Sequence, residues 1–167
     1  MRFNTFKTTV AAIAVAMCLN LCRAEIYVDL VQNGTFSSFN GLSIPGWDTP
    51  GGYWWGAFGG VTGGSFAGIG GSFTQTLNTQ AGLMYSLQFY ISTAIGGESQ
   101  TPGPYGLSVT WDSQNPISYT FTQQTVHWNL EQLQVIAYSS QTVLTFSRIY
   151  GPIPFLDNVS VTPIAIP

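Results

Sequence analysis

The sequence is poor in charged side chains, which make up 7% of its 167 residues, against about 25% in an ordinary soluble protein. It has four Lys and Arg residues, seven Asp and Glu residues, one histidine and two cysteines. These low counts exclude a coiled coil, a disordered acidic tail and a basic nucleic-acid binder. Aromatic residues, at 14%, and 19 glycines are abundant instead.

The few basic residues are concentrated at the start of the chain. Arg2 and Lys7 precede an apolar run over 10–21, and small residues follow that run. This order is typical of a secretory signal peptide, and a run of about 12 residues is too short to span a bilayer, which needs about 20. We predict a signal peptide over 1–24, a single domain over 25–167 and a secreted location, extracellular or periplasmic.

Cleavage after residue 24 would change the chemistry of the chain. Both cysteines and every basic residue except Arg148 are removed, while all seven acids stay, so one cation against seven anions gives a net charge of −6. The mature domain would then have no disulfide, and it would repel phosphate groups. We expect no nucleic-acid partner and no membrane insertion after cleavage. The sequence does not determine the oligomeric state.

Alternation of apolar and small polar residues recurs along the mature chain, whereas helix-forming Lys, Arg and Glu are scarce. In the clearest run, Tyr85, Leu87 and Phe89 alternate with Ser86 and Gln88, as in a strand with one buried face. The pattern predicts an all-β fold, a β-sandwich or jelly roll of about eight to ten strands. The predicted strands, of which some early ones are weaker, are 26–31, 45–48, 53–58, 65–69, 72–78, 84–95, 106–111, 117–122, 128–137, 142–149 and 155–162.

Short motifs follow one another along the chain in a recognisable order. They are LVQNGTF at 30–36, IPGW at 44–47, GSFTQTL at 71–77, AGLMYSLQF at 81–89, LSVTWD at 107–112 and FLDNVSV at 155–161. In order and spacing the chain resembles the galactose-binding-like jelly-roll domain of secreted bacterial proteins of the PEP-CTERM type, whose sorting tail has no match here. It is similar, more distantly, to carbohydrate-binding modules of xylanases. The resemblance implies the fold, but this fold carries many functions.

The resemblance also implies a structural calcium site. In the carbohydrate-binding relatives, a glutamate after the Asn-Gly motif and an acidic residue of the last strand help to hold the ion. This chain has Ser37 and Asp157 at those positions. Calcium prefers six to eight oxygen ligands, with carboxylates prominent. Asp157 is thus the candidate metal ligand, its alternative role is that of a hydrogen-bond acceptor, and no other cofactor is expected.

Groups able to exchange protons are few. His127 is the only histidine, and no Gly-x-Ser-x-Gly motif accompanies it. Paired carboxylates would be needed to hydrolyse a glycoside, and nothing in the sequence brings two of them together. The acids in question are Asp48, Glu98, Asp112, Glu131 and Asp157. We therefore predict that the chain is not an enzyme.

The cluster Tyr53-Trp54-Trp55 is the candidate ligand-binding site. Sugar rings present C–H faces that stack on aromatic rings, and sugar hydroxyls need polar partners. Because adjacent residues of a strand face opposite sides, we expect at least one of Trp54 and Trp55 to be exposed. Trp47, Trp111 and Trp128 match positions that pack in the family that the chain resembles, so we expect these three side chains in the core. The candidate polar partners are Gln88, Tyr90, Gln123, Gln124 and Asn129.

These observations predict a secreted, non-catalytic domain that binds a polysaccharide, a glycan or another surface polymer by aromatic stacking. The alternative is a structural or adhesive extracellular protein without a small-molecule ligand. A low-charge surface rich in Ser, Thr, Gln and Gly would suit packing against a matrix or against copies of the same chain.

Overall fold

The alternating segments form two antiparallel β-sheets in the computed structural model, which describes residues 28–92, 105–112, 114–121 and 127–164. One sheet has the strand order β1-β2-β9-β4-β7 and the other β3-β8-β5-β6. The nine strands of these described ranges are β1 (Tyr53–Gly56), β2 (Phe66–Ile69), β3 (Ser72–Asn78), β4 (Met84–Ser92), β5 (Tyr105–Trp111), β6 (Gln114–Phe121), β7 (Asn129–Ile136), β8 (Gln141–Tyr150) and β9 (Phe155–Pro163). The same ranges contain no helix that is long and apolar enough to cross a bilayer.

The core lies between the two sheets because the strands turn their apolar residues inward. In β4, Tyr85, Leu87, Phe89 and Ile91 are buried, while the residues between them are half-buried. Phe89 packs edge-on against Phe146 of the facing sheet, with ring centroids 5.1 Å apart. The predicted β-sandwich is confirmed.

The segment before β1 is irregular but supplies part of the core, including the buried side chains of Phe36 and Trp47. Gln75 of β3 fixes this segment by hydrogen bonds. Its side-chain oxygen accepts the Gln32 N–H at 2.7 Å, and its amide nitrogen donates to the carbonyl oxygens of Gln32 and Gly46 at 3.0 and 2.8 Å. All hydrogen-bonding groups of this buried amide are therefore engaged, apart from the second lone pair of its oxygen.

The predicted strand at 26–31 is wrong over its described part, 28–31. Leu30 donates its N–H to the carbonyl of Val161 in β9 at 2.9 Å, as a strand would. The neighbouring bond is different, because the Asp29 carboxylate accepts the Val161 N–H at 2.9 Å. A side chain thus takes the place of the main-chain acceptor that a second strand would provide, and no ladder forms.

The predicted strand at 45–48 is also wrong. Its main chain pairs with the sheet only at an isolated bridge between Asp48 and Thr74 of β3. Gly46 has a φ of 87°, which lies outside the extended region. The chain therefore turns just before the point at which it meets the sheet.

The other predicted strands agree with the structure in position, with small differences at their ends. β4 ends at Ser92, and the predicted continuation over 93–95 lies outside the described ranges. β6 begins three residues before its predicted start, because Trp111 pairs directly with Gln114. Asp112, with a φ of 56°, begins the tight turn between them.

Candidate functional site

The three aromatic residues of β1 divide between the two faces of the first sheet. Tyr53 and Trp55 pack against the core, whereas Trp54 lies on the outer face with 47% of its surface exposed. Alternation along the strand produces this division. The expectation that at least one of the two tryptophans is exposed is confirmed.

Trp55 is held by the irregular segment that precedes β1. Its indole N–H donates to the Phe36 carbonyl at 2.9 Å, and its ring stacks on Phe39 with centroids 4.6 Å apart. Tyr53 meets the same Phe39 ring edge-on at 6.0 Å. The rings of Tyr53 and Trp55 therefore fix the position of β1, and Trp54 is the exposed member of the cluster.

Trp54 rests on two buried rings that lie outside the core. Its ring centroid is 5.5 Å from those of both Phe66 in β2 and Phe155 in β9, and these two phenylalanines meet edge-on at 5.4 Å. Trp128 meets Phe66 from another side at 6.1 Å. We call Trp54, Phe66, Phe155 and Trp128 the aromatic layer. Close packing of this kind restricts the motion of the exposed indole.

Glycines opposite the two phenylalanines make room for the aromatic layer. Gly56 pairs with Phe66, and Gly68 pairs with Phe155. A Cβ atom on Gly56 would lie 2.3 Å from the Phe66 ring, and one on Gly68 would lie 3.2 Å from the Phe155 ring. Each ring thus covers the bare backbone of its cross-strand neighbour. Sequence reasoning missed this arrangement, because its signal appears only when the strand register is known.

The loop between β1 and β2 borders the aromatic layer. Trp128 donates its indole N–H to the Gly59 carbonyl at 2.9 Å, and Phe58 of the same loop is 84% exposed. The expectation that Trp128 packs in the core is wrong, because this residue continues the alternation of β7, whose even-numbered residues lie on the outer face. Trp47 and Trp111 are buried in the core as expected.

Asp157 is buried on the same outer face and ties the β1–β2 loop to β9. Its carboxylate accepts the Val61 N–H at 2.8 Å and the Asn158 N–H at 2.7 Å. Burial raises the pKa of the Asp157 carboxyl, and the two backbone hydrogen bonds oppose that rise. The side chain therefore has the acceptor role that the sequence offered as an alternative.

A calcium ion at Asp157 stays a prediction, and the described residues fit it poorly. A Cβ atom on Gly60 would lie 2.6 Å from the Asp157 carboxylate and 2.5 and 2.9 Å from the carbonyl oxygens of Ser65 and Gly64. Three converging oxygens fall short of the six to eight that calcium prefers. Two of them already accept main-chain N–H groups, from Val61 and Gly60. No group of three or more metal-ligating side chains occurs among the described residues.

Polar side chains continue the outer face beyond the aromatic layer. Gln88 of β4 pairs with Ser160 on one side and with Gln132 on the other. Tyr90, two residues along β4, pairs with Asp157. Directly paired residues share a face, so Gln88 and Tyr90 lie on the same face as the aromatic layer.

The remaining candidate polar partners are not assigned to this face. Asn129 pairs with the buried Ile91 and therefore lies on the inward side of the sheet. Gln123 and Gln124 lie outside the described ranges. The polar part of the surface thus rests on β4, β9 and β7.

The two carboxylates on strands of the five-stranded sheet lie on opposite faces of that sheet. Glu131 pairs with Phe89 and lies on the inward side, whereas Asp157 lies on the outer side. Burial raises the pKa of the Glu131 carboxyl. His127 is exposed and precedes Trp128. Glu131 and Asp157 therefore cannot flank the same bond of a bound substrate.

Neither a family model nor a curated protein matches the chain, but solved structures do. The CBM22-1 xylan-binding domain from Paenibacillus barcinonensis Xyn10C matches with a TM-score of 0.60 and 15% identity, covering 84% of this chain and 97% of that one. TmCBM61, solved in complex with β-1,4-galactotriose, matches with a TM-score of 0.52 and 15% identity, covering 82% and 99%. A CBM4 structure gives 0.52 and 14%, covering 80% and 99%.

The similarity extends over nearly the whole of each of these three solved modules. At 14–15% identity, it concerns the fold. The chain has the all-β sandwich fold of carbohydrate-binding modules.

Proposed function

We propose that the chain is a secreted, non-catalytic domain that binds a carbohydrate or a related surface polymer by stacking it on Trp54. The observation that carries this proposal is an exposed indole supported by buried rings, with hydrogen-bonding side chains on the same face of the sheet. Similarity in fold to a xylan-binding domain and to a module solved with galactotriose supports it. The predicted signal peptide over 1–24 supports secretion.

Stacking and hydrogen bonding divide the recognition of a sugar between two parts of the surface. The C–H face of a pyranose removes apolar area from water when it lies on the Trp54 ring. The hydroxyls of further sugar units in the same polymer, which crosses the sheet from β1 towards β4 and β7, then exchange hydrogen bonds with groups such as Gln88, Tyr90 and Gln132. Because the ring is already packed, binding loses little side-chain entropy.

The charges of the chain favour an uncharged ligand. Arg148 is the only Lys or Arg among the described residues, and its guanidinium donates to the Gly151 carbonyl at 2.8 Å. A polyanion would meet a net negative protein without a cluster of cations to bind it. A neutral polysaccharide carries no such penalty.

Binding without turnover agrees with the positions of the two carboxylates on the five-stranded sheet, Glu131 and Asp157. Glycoside hydrolysis requires two carboxyl groups on either side of one bond. Glu131 and Asp157 lie on opposite faces of the sheet, and Asp157 is engaged by two backbone N–H groups. The surface around Trp54 is therefore suited to holding a sugar rather than cleaving it.

Retention of the purified protein on insoluble neutral polysaccharides, together with a glycan array, tests this proposal. We expect specific retention on at least one neutral polymer and no release of reducing sugar from it. A protein that is retained by none of the polysaccharides and binds no glycan on the array would contradict the proposal and favour the structural or adhesive alternative. Turnover that disappears when one carboxylate is replaced would contradict the non-catalytic part.

A further inference from the structure

We propose that β7 is a self-association edge through which two copies of this chain join their five-stranded sheets into one continuous sheet. The strand order places β7 at the end of its sheet, and among the described residues it pairs only with β4. It has eight residues, its register with β4 contains no bulge, and it has no Lys, Pro or Gly. An edge strand of this kind is a template for another strand.

The other three sheet edges have features that oppose such pairing. β1 is only four residues long. β3 is covered at Thr74, which exchanges two main-chain hydrogen bonds with Asp48 at 2.8 and 2.9 Å. β6 contains Pro116, which has no N–H to donate. Within the described ranges, β7 is the long edge that has neither a proline nor a bridge to another main-chain segment, and the Trp111 indole covers it only at the Ile136 carbonyl.

Alternate residues of β7 direct their main-chain groups towards the open edge. Ala137, just after β7, donates its N–H to the carbonyl oxygen of Leu83, just before β4, at 3.0 Å. In an antiparallel ladder, every second residue bonds to a given neighbouring strand. Because the odd-numbered Ala137 bonds towards β4, the main-chain N–H and C=O groups of the even-numbered residues of β7 point away from β4. The Ile136 carbonyl agrees, because it accepts the indole N–H of Trp111 at 2.9 Å. The edge-directed residues are Leu130, Gln132, Gln134 and Ile136.

These four residues also form a self-complementary row on the outer face. Two antiparallel copies centred on Leu133 place Leu130 of one copy opposite Ile136 of the other, and Gln132 opposite Gln134. Leu130 and Ile136 are 44% and 42% exposed, so their pairing removes apolar area from water. The facing glutamine amides can hydrogen-bond to each other, and the main-chain groups of Gln132 and Gln134 meet in the same pair. At the Leu130–Ile136 pair the Ile136 carbonyl already accepts the Trp111 indole N–H, so this pair contributes mainly apolar contact.

The single charged residue of the strand does not oppose this register. Glu131 of one copy lies opposite Val135 of the other, so the two glutamates are not directly paired. A shift of one residue would set edge-directed groups against groups that already bond to β4. The side chains and the main chain therefore favour the same arrangement.

A two-fold axis perpendicular to the joined sheet keeps both outer faces on one side. Both Trp54 rings would then face the same polymer surface, and two linked sites bind more tightly than one. This consequence rests on the proposed function, but the association itself requires no sugar. Sedimentation without glycan therefore tests the association independently of the carbohydrate proposal.

Sedimentation equilibrium of the purified full chain, from micromolar to millimolar concentration, tests the association. We expect a concentration-dependent rise towards twice the monomer mass. The double variant Gln132→Lys, Gln134→Lys sets like charges opposite each other and is expected to raise the dimer Kd by about tenfold or more. The double variant Gln132→Lys, Gln134→Glu sets Lys opposite Glu and is expected to restore association.

A matched pair of substitutions away from β7, Gln80→Lys with Gln141→Lys, controls for added charge. Unfolding in urea checks that every variant keeps its fold. A wild-type chain that stays monomeric throughout would overturn the proposal. So would equal weakening by the Lys/Lys and Lys/Glu variants, because only the proposed register distinguishes them.

Discussion

Two carboxyls on opposite faces of one sheet, the buried Asp157 and the half-buried Glu131, make stability depend on pH. Burial raises the pKa of both Asp157 and Glu131, so the folded chain holds their protons more tightly than the unfolded chain does. Their favourable contribution is complete below the unfolded pKa of an acid, about 4, and is lost as pH rises through the raised folded values. We expect the free energy of unfolding to fall over that range.

Urea unfolding at a series of pH values measures this dependence. Asp157→Asn and Glu131→Gln should each reduce the slope of stability against pH. Because the two groups lie on opposite faces of the sheet, the reductions should add in the double variant. A double variant with the wild-type slope would refute this explanation.

Gly56 shows how one absent methyl group supports the candidate site. A Cβ atom there would lie 2.3 Å from the Phe66 ring, which is almost fully buried and has little room to move. We expect Gly56→Ala to lower the free energy of unfolding by about 1–3 kcal/mol and to change the fluorescence of the neighbouring Trp54. Gly64→Ala is the control, since the nearest atom to its Cβ is 3.8 Å away. Equal losses in both variants would show that Phe66 does not depend on the glycine.

At the level of elements, Gln75 joins β3 to the irregular segment that completes the core. Gln75→Leu leaves the Gln32 N–H without its acceptor and two carbonyl oxygens without their donor. We expect a loss of about 2–3 kcal/mol in the free energy of unfolding, because a buried unsatisfied group costs about 1–3 kcal/mol. Thr76→Leu, at the next and exposed position of β3, should change stability by less than about 0.5 kcal/mol. Similar losses at both positions would argue against this role of Gln75.

Strands with one buried face were predictable from sequence, since apolar and polar residues of β4 alternate over 85–89 and the buried positions continue that period to Ile91. The segments at 28–31 and 45–48 were not, because Asp29 supplies a side-chain acceptor and Gly46 turns the chain. Neither event is visible in a period-two pattern.

The candidate site was predictable only in part, for a similar physical reason. Alternation predicts that Trp54 and Trp55 face opposite sides, but it does not say which one is exposed. The support beneath Trp54 depends on the pairing of Gly68 with Phe155, residues far apart in the chain. The spacing of residues along the sequence does not indicate which residues of distant strands are paired.

At the scale of the whole molecule, the five-stranded sheet separates two tasks. Its inward face packs against the second sheet and stabilises the fold, while its outer face carries the aromatic layer and the polar residues of β4, β9 and β7. Few charges interrupt that outer face. In the proposed dimer, this surface would continue across β7 into a second copy.

The most direct test of the central claim is a binding isotherm on the polysaccharide that retains the wild-type protein, with Trp54→Leu and Tyr138→Leu measured beside it. Leucine keeps apolar cover over Phe66 and Phe155 but provides no ring, and Tyr138 is an exposed aromatic residue outside the aromatic layer. We predict that Trp54→Leu weakens binding about tenfold or more, equivalent to about 1.4 kcal/mol, while Tyr138→Leu binds as the wild type does. Unchanged binding by a folded Trp54→Leu variant would contradict the account.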